Sequence, residues 1–185
     1  LMVVQDALFA WSAYLVAREA ARRLGPLVEA LVGAAYAVSF GIAGAVEVQF
    51  HEIAFAVPLL ALSLVALLRR RWWPAAAWAA PLVLVKEDLG ATVLVIGLLV
   101  AWRARDEGRR RSWIGLGLAV WGTVWLALTQ AVLLPALNPD GVYAYAGRLD
   151  WQDLLTHPWL LVTHLVDDGR KVSTLLPLVA ITGLV

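Results

Sequence analysis

The chain has 185 residues, 62% of them hydrophobic and 16% charged, with a net charge of +1. Average globular chains are roughly 45–50% apolar and about 25% charged, so this composition excludes a soluble domain with one anchor and gives no signal for nucleic acid. Zero cysteines exclude a disulfide or thiolate-metal framework, and ten tryptophans suit the two faces of a bilayer.

The expected fold is therefore all-α, a polytopic transmembrane helix bundle whose first partner is the lipid bilayer. Apolar segments run over 1–17, 27–46, 53–68, 72–85, 89–102, 113–135 and 172–185, about seven in all. The chain opens on Leu1 inside one apolar stretch and closes on Val185 inside another. It reads as a single transmembrane domain over 1–185 cut from a longer protein.

In chain order, Gln5 and Asp6 lie near the outer end of the first segment. Asp6 either faces a cavity or marks a helix start, where an acid is favoured by the dipole. The second segment carries Gly33, Ala37, Gly41 and Ala45, a ladder of small residues that lets helices approach closely. The stretch EVQFHEIAF over 47–55 follows, with Glu47 and His51 four residues apart, which share a face if helical. Pro58 and Pro81 are expected to kink their helices.

Eleven of the fifteen basic residues fall in three short loops, 18–26, 69–71 and 103–111. Lys and Arg accumulate on the cytoplasmic side, so all three loops are expected in the cytoplasm of a multi-pass protein of the cell membrane. Residues 72–102 must then cross twice, as a short hairpin. The rival is one continuous helix of about 46 Å at 1.5 Å per residue, which would put the last arginines outside. In the hairpin, the turn Lys86-Glu87-Asp88 lies at the outer end, and His51 and Glu52 face the same way. Charges sunk in a membrane are functional candidates by default.

The segment at 113–135 leads into an outward loop over 136–171, opened by Asn138-Pro139-Asp140-Gly141, strong turn chemistry. A short amphipathic helix is expected near 151–166. Arg170 and Lys171 precede the last segment and could meet a phosphate or lipid headgroups.

From residue chemistry alone, Lys86 could neutralise a phosphate, and Glu87 or Asp88 could bind sugar hydroxyls, a metal or a proton. His51 with Glu47 or Glu52 could transfer protons or ligate a metal. Against these stand plain readings: a solvated charged turn, an exposed helix cap. No phosphate-binding glycine loop, nucleophile elbow, His-Glu-x-x-His motif or Asp-x-Asp pair is present. A transporter or proton relay would also use such acids and histidines, and a non-enzymatic scaffold would leave them paired with one another.

Three stretches, VQFHEIAFAVPLLALSLVALL, LVLVKEDLGATVLVIGLLVAW and YAYAGRLD…KVSTLLPLVAITGLV, together resemble the prokaryotic membrane proteins of the domain of unknown function 2079 family. That family is grouped with the GT-C glycosyltransferases, which use polyprenyl-phosphate-linked sugars outside the membrane. Its first motif usually reads Phe-Asp-Phe-His-Pro; here Gln49 and Glu52 stand at the Asp and Pro positions, while Lys86-Glu87-Asp88 matches fully. The resemblance implies a glycosyltransferase fragment whose partner is a lipid-linked sugar donor. Glu87, Asp88 and His51 are then the catalytic candidates. Lys86, Glu52, Glu47, Gln49, Asp6, Arg170 and Lys171 are the substrate-binding candidates. No metal ligand set is assigned, the cofactor is unknown, and Glu87 and Asp88 would hold a divalent cation if one is used. GT-C enzymes carry their catalytic acid in the first outer loop, which the resemblance places upstream of Leu1.

Overall fold

The computed structural model describes residues 1–39, 50–137 and Trp159. Among the described residues the chain is helical, with turns and no strand. It divides into two compact units, 1–133 and 134–185.

In the first unit, α1 spans Met2–Leu24 and α2 spans Pro26–Ala37. Gly25, at φ 101, makes the reversal between them, a backbone conformation that costs glycine nothing. Pro26 then opens α2 at a position where its missing N–H loses no bond. A 3₁₀ turn, Glu52–Phe55, leads into α3, Ala56–Leu68. Next come α4, Trp72–Ala79, continued by a 3₁₀ stretch Ala80–Leu84, and α5, Leu89–Ala104. A short turn, Arg105–Glu107, precedes α6, Arg109–Leu128.

The α3–α4 reversal is a Schellman-type stop. The Arg71 N–H donates to the Ala66 carbonyl at 2.9 Å and the Arg70 N–H to that of Leu67 at 3.1 Å. Arg70 holds the left-handed position usually given to glycine, at φ 57. A non-glycine residue there costs about 1 kcal/mol, so its side chain has a reason to be where it is.

Residues 72–102 form a hairpin, not one continuous helix. The Trp72 indole donates to Glu107 Oε2 at 2.9 Å, which sets the two ends of the stretch side by side. The chain turns back at 85–88, between the 3₁₀ stretch and α5. Pro81 falls inside that 3₁₀ stretch, where α-helical bonding has already stopped. Pro58 falls in the first turn of α3, where a proline breaks no helical bond, so it marks an entry and not a mid-helix kink.

Helices α5 and α6 pack most closely. Gly90 and Gly97 on one face Gly122 and Gly115 on the other. A Cβ on Gly97 would lie 2.7 Å from the Gly115 carbonyl oxygen, and one on Gly122 would lie 2.6 Å from the Leu94 nitrogen. A seven-residue spacing keeps one stripe of each helix toward its partner, and with no Cβ the backbones can touch. The Ser112 hydroxyl adds a bond to the Ala101 carbonyl at 3.0 Å. The core cluster combines six alanines with Leu67, Trp72, Leu82, Val83, Val93, Ile96, Val100 and Leu118. Ser63, fully buried, donates across to the Ala75 carbonyl at 2.8 Å.

Past α6 the helix widens into a π turn, Thr129–Leu133, and ends in α7, Leu134–Leu137. Pro135 explains the turn: its ring clashes with the carbonyl four residues back and it offers no N–H, and a π turn absorbs both. The stretch Arg109–Leu137, 29 residues, is the helix long and apolar enough to cross a membrane among the described residues; Pro26–Ala37 and Glu52–Leu68 are shorter apolar helices. In the second unit, 134–185, the described residues are α7 and Trp159, which is helical and exposed. The expected loop over 136–171, apart from its first two residues and Trp159, and the last segment at 172–185 lie outside the described residues.

Candidate functional site

Helix directions give the first unit two chemically different ends. Helix α1 and the stretch 51–69 run parallel, because Gln5 meets His51 at one end and Glu19 meets Arg69 at the other. Helix α4 runs back from Arg71, and α5 returns again. The loops at 18–26, 69–71 and 103–111 therefore gather at one end, and the turns at 50–52 and 85–88 belong to the opposite end.

The basic end is stitched together by two glutamates. Glu19 is buried on α1. Its carboxylate accepts from Arg23 at 3.0 Å and from Arg69 Nε at 2.7 Å, and Arg23 also donates to the Leu68 carbonyl at 2.9 Å. Glu107 accepts from Arg70 at 3.2 Å, Arg111 at 2.5 Å and the Trp72 indole at 2.9 Å. The Trp72 bond does most to hold the Glu107 carboxyl below the usual carboxylate range; partial desolvation opposes it, and the two guanidiniums add to it. Neither glutamate stands out in a sequence scan for sunken charge. The available signal was an acid inside the first and third arginine runs, with Glu19/Arg23 and Glu107/Arg111 at the i,i+4 spacing that lets helical side chains meet.

The opposite end is different. The Lys86 ammonium lies 3.9 Å from the Asp88 carboxylate, a loose pair with Asp88 64% exposed. Glu87, half-buried, forms no ion pair among the described residues. The turn's backbone is well bonded, with Leu89 N–H donating to the Lys86 carbonyl and Ala91 N–H to that of Asp88, both at 3.2 Å. Asp88 thus stands at the start of α5, where a negative charge is favoured, although its side chain makes no capping bond. His51 and Glu52 are exposed. The His51 N–H donates to Gln5 Oε1 at 3.2 Å, and Phe50 packs edge-on against Phe55 at 5.9 Å. Gln5, buried in α1, is the residue that reaches this turn, while Asp6 points outward.

The structure thus brings Lys86 and Asp88 together and ties His51 to α1. Among the described residues no hydrogen bond or ion pair joins the 51–52 turn to the 86–88 turn. No group of three or more His, Asp or Glu among them is placed to hold a metal ion. Glu47, Gln49, Arg170 and Lys171 lie outside the described residues.

The flanks of the bundle expose Leu, Val and Trp in quantity. Trp73, Trp102 and Trp113, beside the basic loops, are all more than half exposed. Amphipathic rings next to arginines are what a lipid–water boundary favours. Such a surface fits a helical membrane protein. The chain belongs to the family of predicted membrane proteins described as DUF2079, whose model matches residues 1–185. No curated protein and no solved structure matches it.

Proposed function

We propose that the chain is the membrane core of a GT-C-like glycosyltransferase of the cell membrane. It would take sugar from a polyprenyl-phosphate carrier at the end that bears residues 51–52 and 86–88. The observation that carries this reading is the state of the Lys86-Glu87-Asp88 turn. Its charges are half-exposed and loosely paired, whereas Glu19 and Glu107 at the basic end are each held by two arginines. Charge left uncommitted beside a membrane is available to a ligand. The family resemblance supplies the sugar and the carrier.

In this reading the chain crosses the membrane several times, with its three basic loops in the cytoplasm. The bond between the sugar's anomeric carbon and the carrier phosphate oxygen breaks, and a bond to the acceptor oxygen forms. The acceptor's proton passes to Glu87 or Asp88 as general base. The Lys86 ammonium stabilises the departing phosphate, with His51, Arg170 and Lys171 as further groups for it. Glu52, Glu47, Gln49 and Asp6 complete the polar lining. Two adjacent carboxylates suit a divalent cation shared with substrate phosphates, not an all-protein cage.

The test is sugar transfer from a radiolabelled polyprenyl-phosphate hexose in membrane vesicles holding the full-length protein. Lys86→Ala, Glu87→Gln and Asp88→Asn should each lower transfer by at least about a hundredfold, the scale of one electrostatic or acid–base contribution. Transfer left intact in all three, or no transfer by the unaltered protein with any such donor, would refute the reading.

A further inference from the structure

At the basic end, a cavity of about 540 Å³ opens between α4 and α6, bordered by Arg70, Arg71, Arg110 and Arg111. A second, almost wholly apolar cavity of about 350 Å³ continues from it along the same two helices. Trp73 and Ile114 line both, so the two are one slot with a cationic mouth. The apolar part runs from Trp73 to Ala80, about 10 Å along the axis, and the Trp121 indole, bonded to the Ala80 carbonyl at 3.1 Å, marks its far limit.

Two details show how the slot is shaped. The first is Gly117. Gly115 and Gly122 on the same helix are forced by contact with α5, but a Cβ on Gly117 would meet nothing within 4 Å. Helix packing does not require a glycine there; it leaves the slot open, with Ala76, Ala77 and Ala80 as the opposite wall and Trp73, Trp113 and Trp121 around it. The second is the state of the arginines. Arg70 and Arg111 are held by Glu107. Arg71 and Arg110 have no ion pair among the described residues and are exposed.

We infer that this slot binds an anionic phospholipid of the adjoining leaflet. Arg71 and Arg110 would take the headgroup phosphate, and the α4–α6 groove would take one acyl chain. Charge complementarity selects the occupant: a second apolar helix would satisfy the groove and leave the cationic mouth empty, whereas a lipid with a negative head matches both parts. Basic pockets between membrane helices recognise anionic headgroups by the same physics.

The test is retention of phosphatidylglycerol by the full-length protein, counted by native mass spectrometry after purification and exchange from mixed phosphatidylcholine–phosphatidylglycerol nanodiscs. We expect phosphatidylglycerol to be retained over phosphatidylcholine. Arg71→Gln with Arg110→Gln should cut that retention at least tenfold, and Gly117→Leu should do the same by filling the groove. Neither change touches Glu19, Glu107 or the α5–α6 contact, so thermal stability should be unchanged. Four outcomes would overturn the inference: no preference in the unaltered protein; no effect of the arginine pair; displacement by inorganic phosphate at matched ionic strength, which would mean that the phosphate group alone is bound; and a dimer dissolved by Gly117→Leu, which would mean that the groove holds a second copy.

Discussion

The two ends of the first unit use their charge in opposite ways. At the basic end two glutamates are held by guanidiniums and the loops are thereby joined: Glu19 links α1 to the α3–α4 turn, and Glu107 links that turn to the α5–α6 turn. At the other end the contacts that hold the backbone are neutral, Gln5 to the His51 N–H and the bonds of the 85–88 turn, and the ionisable side chains are left over. Abundance of charge is therefore a poor guide to function in this molecule. The useful distinction is whether charge is consumed by structure or left available.

The frame that holds both ends is the α5–α6 contact, so its disruption should abolish the difference between them. Gly115→Ala would drive a Cβ to 2.5 Å from the Gly97 carbonyl oxygen. Backbone cannot swing aside as a side chain does, so the cost should lie at the upper end of overpacking, about 3 kcal/mol or more. Thermal unfolding in detergent should show a large loss, and both lipid retention and sugar transfer should fall together. A variant as stable as the unaltered protein would mean that these helices are not in contact.

Removing Glu19 acts on one end only. Glu19→Ala leaves Arg23 and Arg69 facing one another without a counter-charge. In a fully buried pair that loss costs about 3–5 kcal/mol, and in an exposed pair at most about 1. The carboxylate is buried but both arginines can turn to water, so about 2 kcal/mol is expected. Unfolding in denaturant should register it, while transfer at the opposite end stays near normal at temperatures below unfolding. A matching loss of transfer would show that the ends are coupled.

Glu107 gives a pH handle on the same end. Its carboxyl is held below the usual carboxylate range, so its contribution is fully present above the unfolded value, about 4.3 for an ordinary glutamate. It is lost as pH falls through the lowered, folded value. The difference in melting temperature between the unaltered protein and Glu107→Gln should be constant near neutrality and vanish on acidification. A difference that grew on acidification would reverse the sign and sink the assignment.

Much of this arrangement could be read from residue order. The three arginine runs, expected together on one side of a membrane because positive charge is costly to move across it, favoured a hairpin over 72–102 against one long helix. The breaks at Pro81 and at the charged triplet supplied the place to turn. What escaped the reading were contacts that depend on three-dimensional register. Gly90, Gly97, Gly115 and Gly122 sit at a seven-residue spacing in two separate segments, and only their pairing gives that spacing meaning. The small-residue ladder on the second segment is half outside the described residues, at Gly41 and Ala45. Glu19 and Glu107 were hidden by the arginines around them. At the other end, proximity in sequence marked Asp6, yet a helix turns its neighbours about 100° apart, and it is Gln5 that faces the His51 turn.

The smallest expected effect is the most discriminating. If the charge of the 86–88 turn is not consumed by structure, removing it should scarcely alter stability. Surface substitutions away from caps and networks usually fall within about 0.5 kcal/mol, and the 3.9 Å Lys86–Asp88 contact, loose and exposed, should sit inside that band. Lys86→Ala and Glu87→Gln should therefore unfold at the temperature of the unaltered protein, and Asp88→Asn, which removes a charge from the start of α5, within about 1 kcal/mol of it, against the larger loss expected for Glu19→Ala. The same turn can be located independently, because the chain has no cysteine and an introduced thiol is the only one within these residues. Asp88→Cys should react with a membrane-impermeant maleimide from outside intact cells, and Asp106→Cys, at 81% side-chain exposure, should react only after the cells are opened. Equal labelling of both from outside would remove the orientation on which the proposed transferase depends. A stability loss of 2 kcal/mol or more at the turn would show that its charges are structural after all, as they are at the basic end.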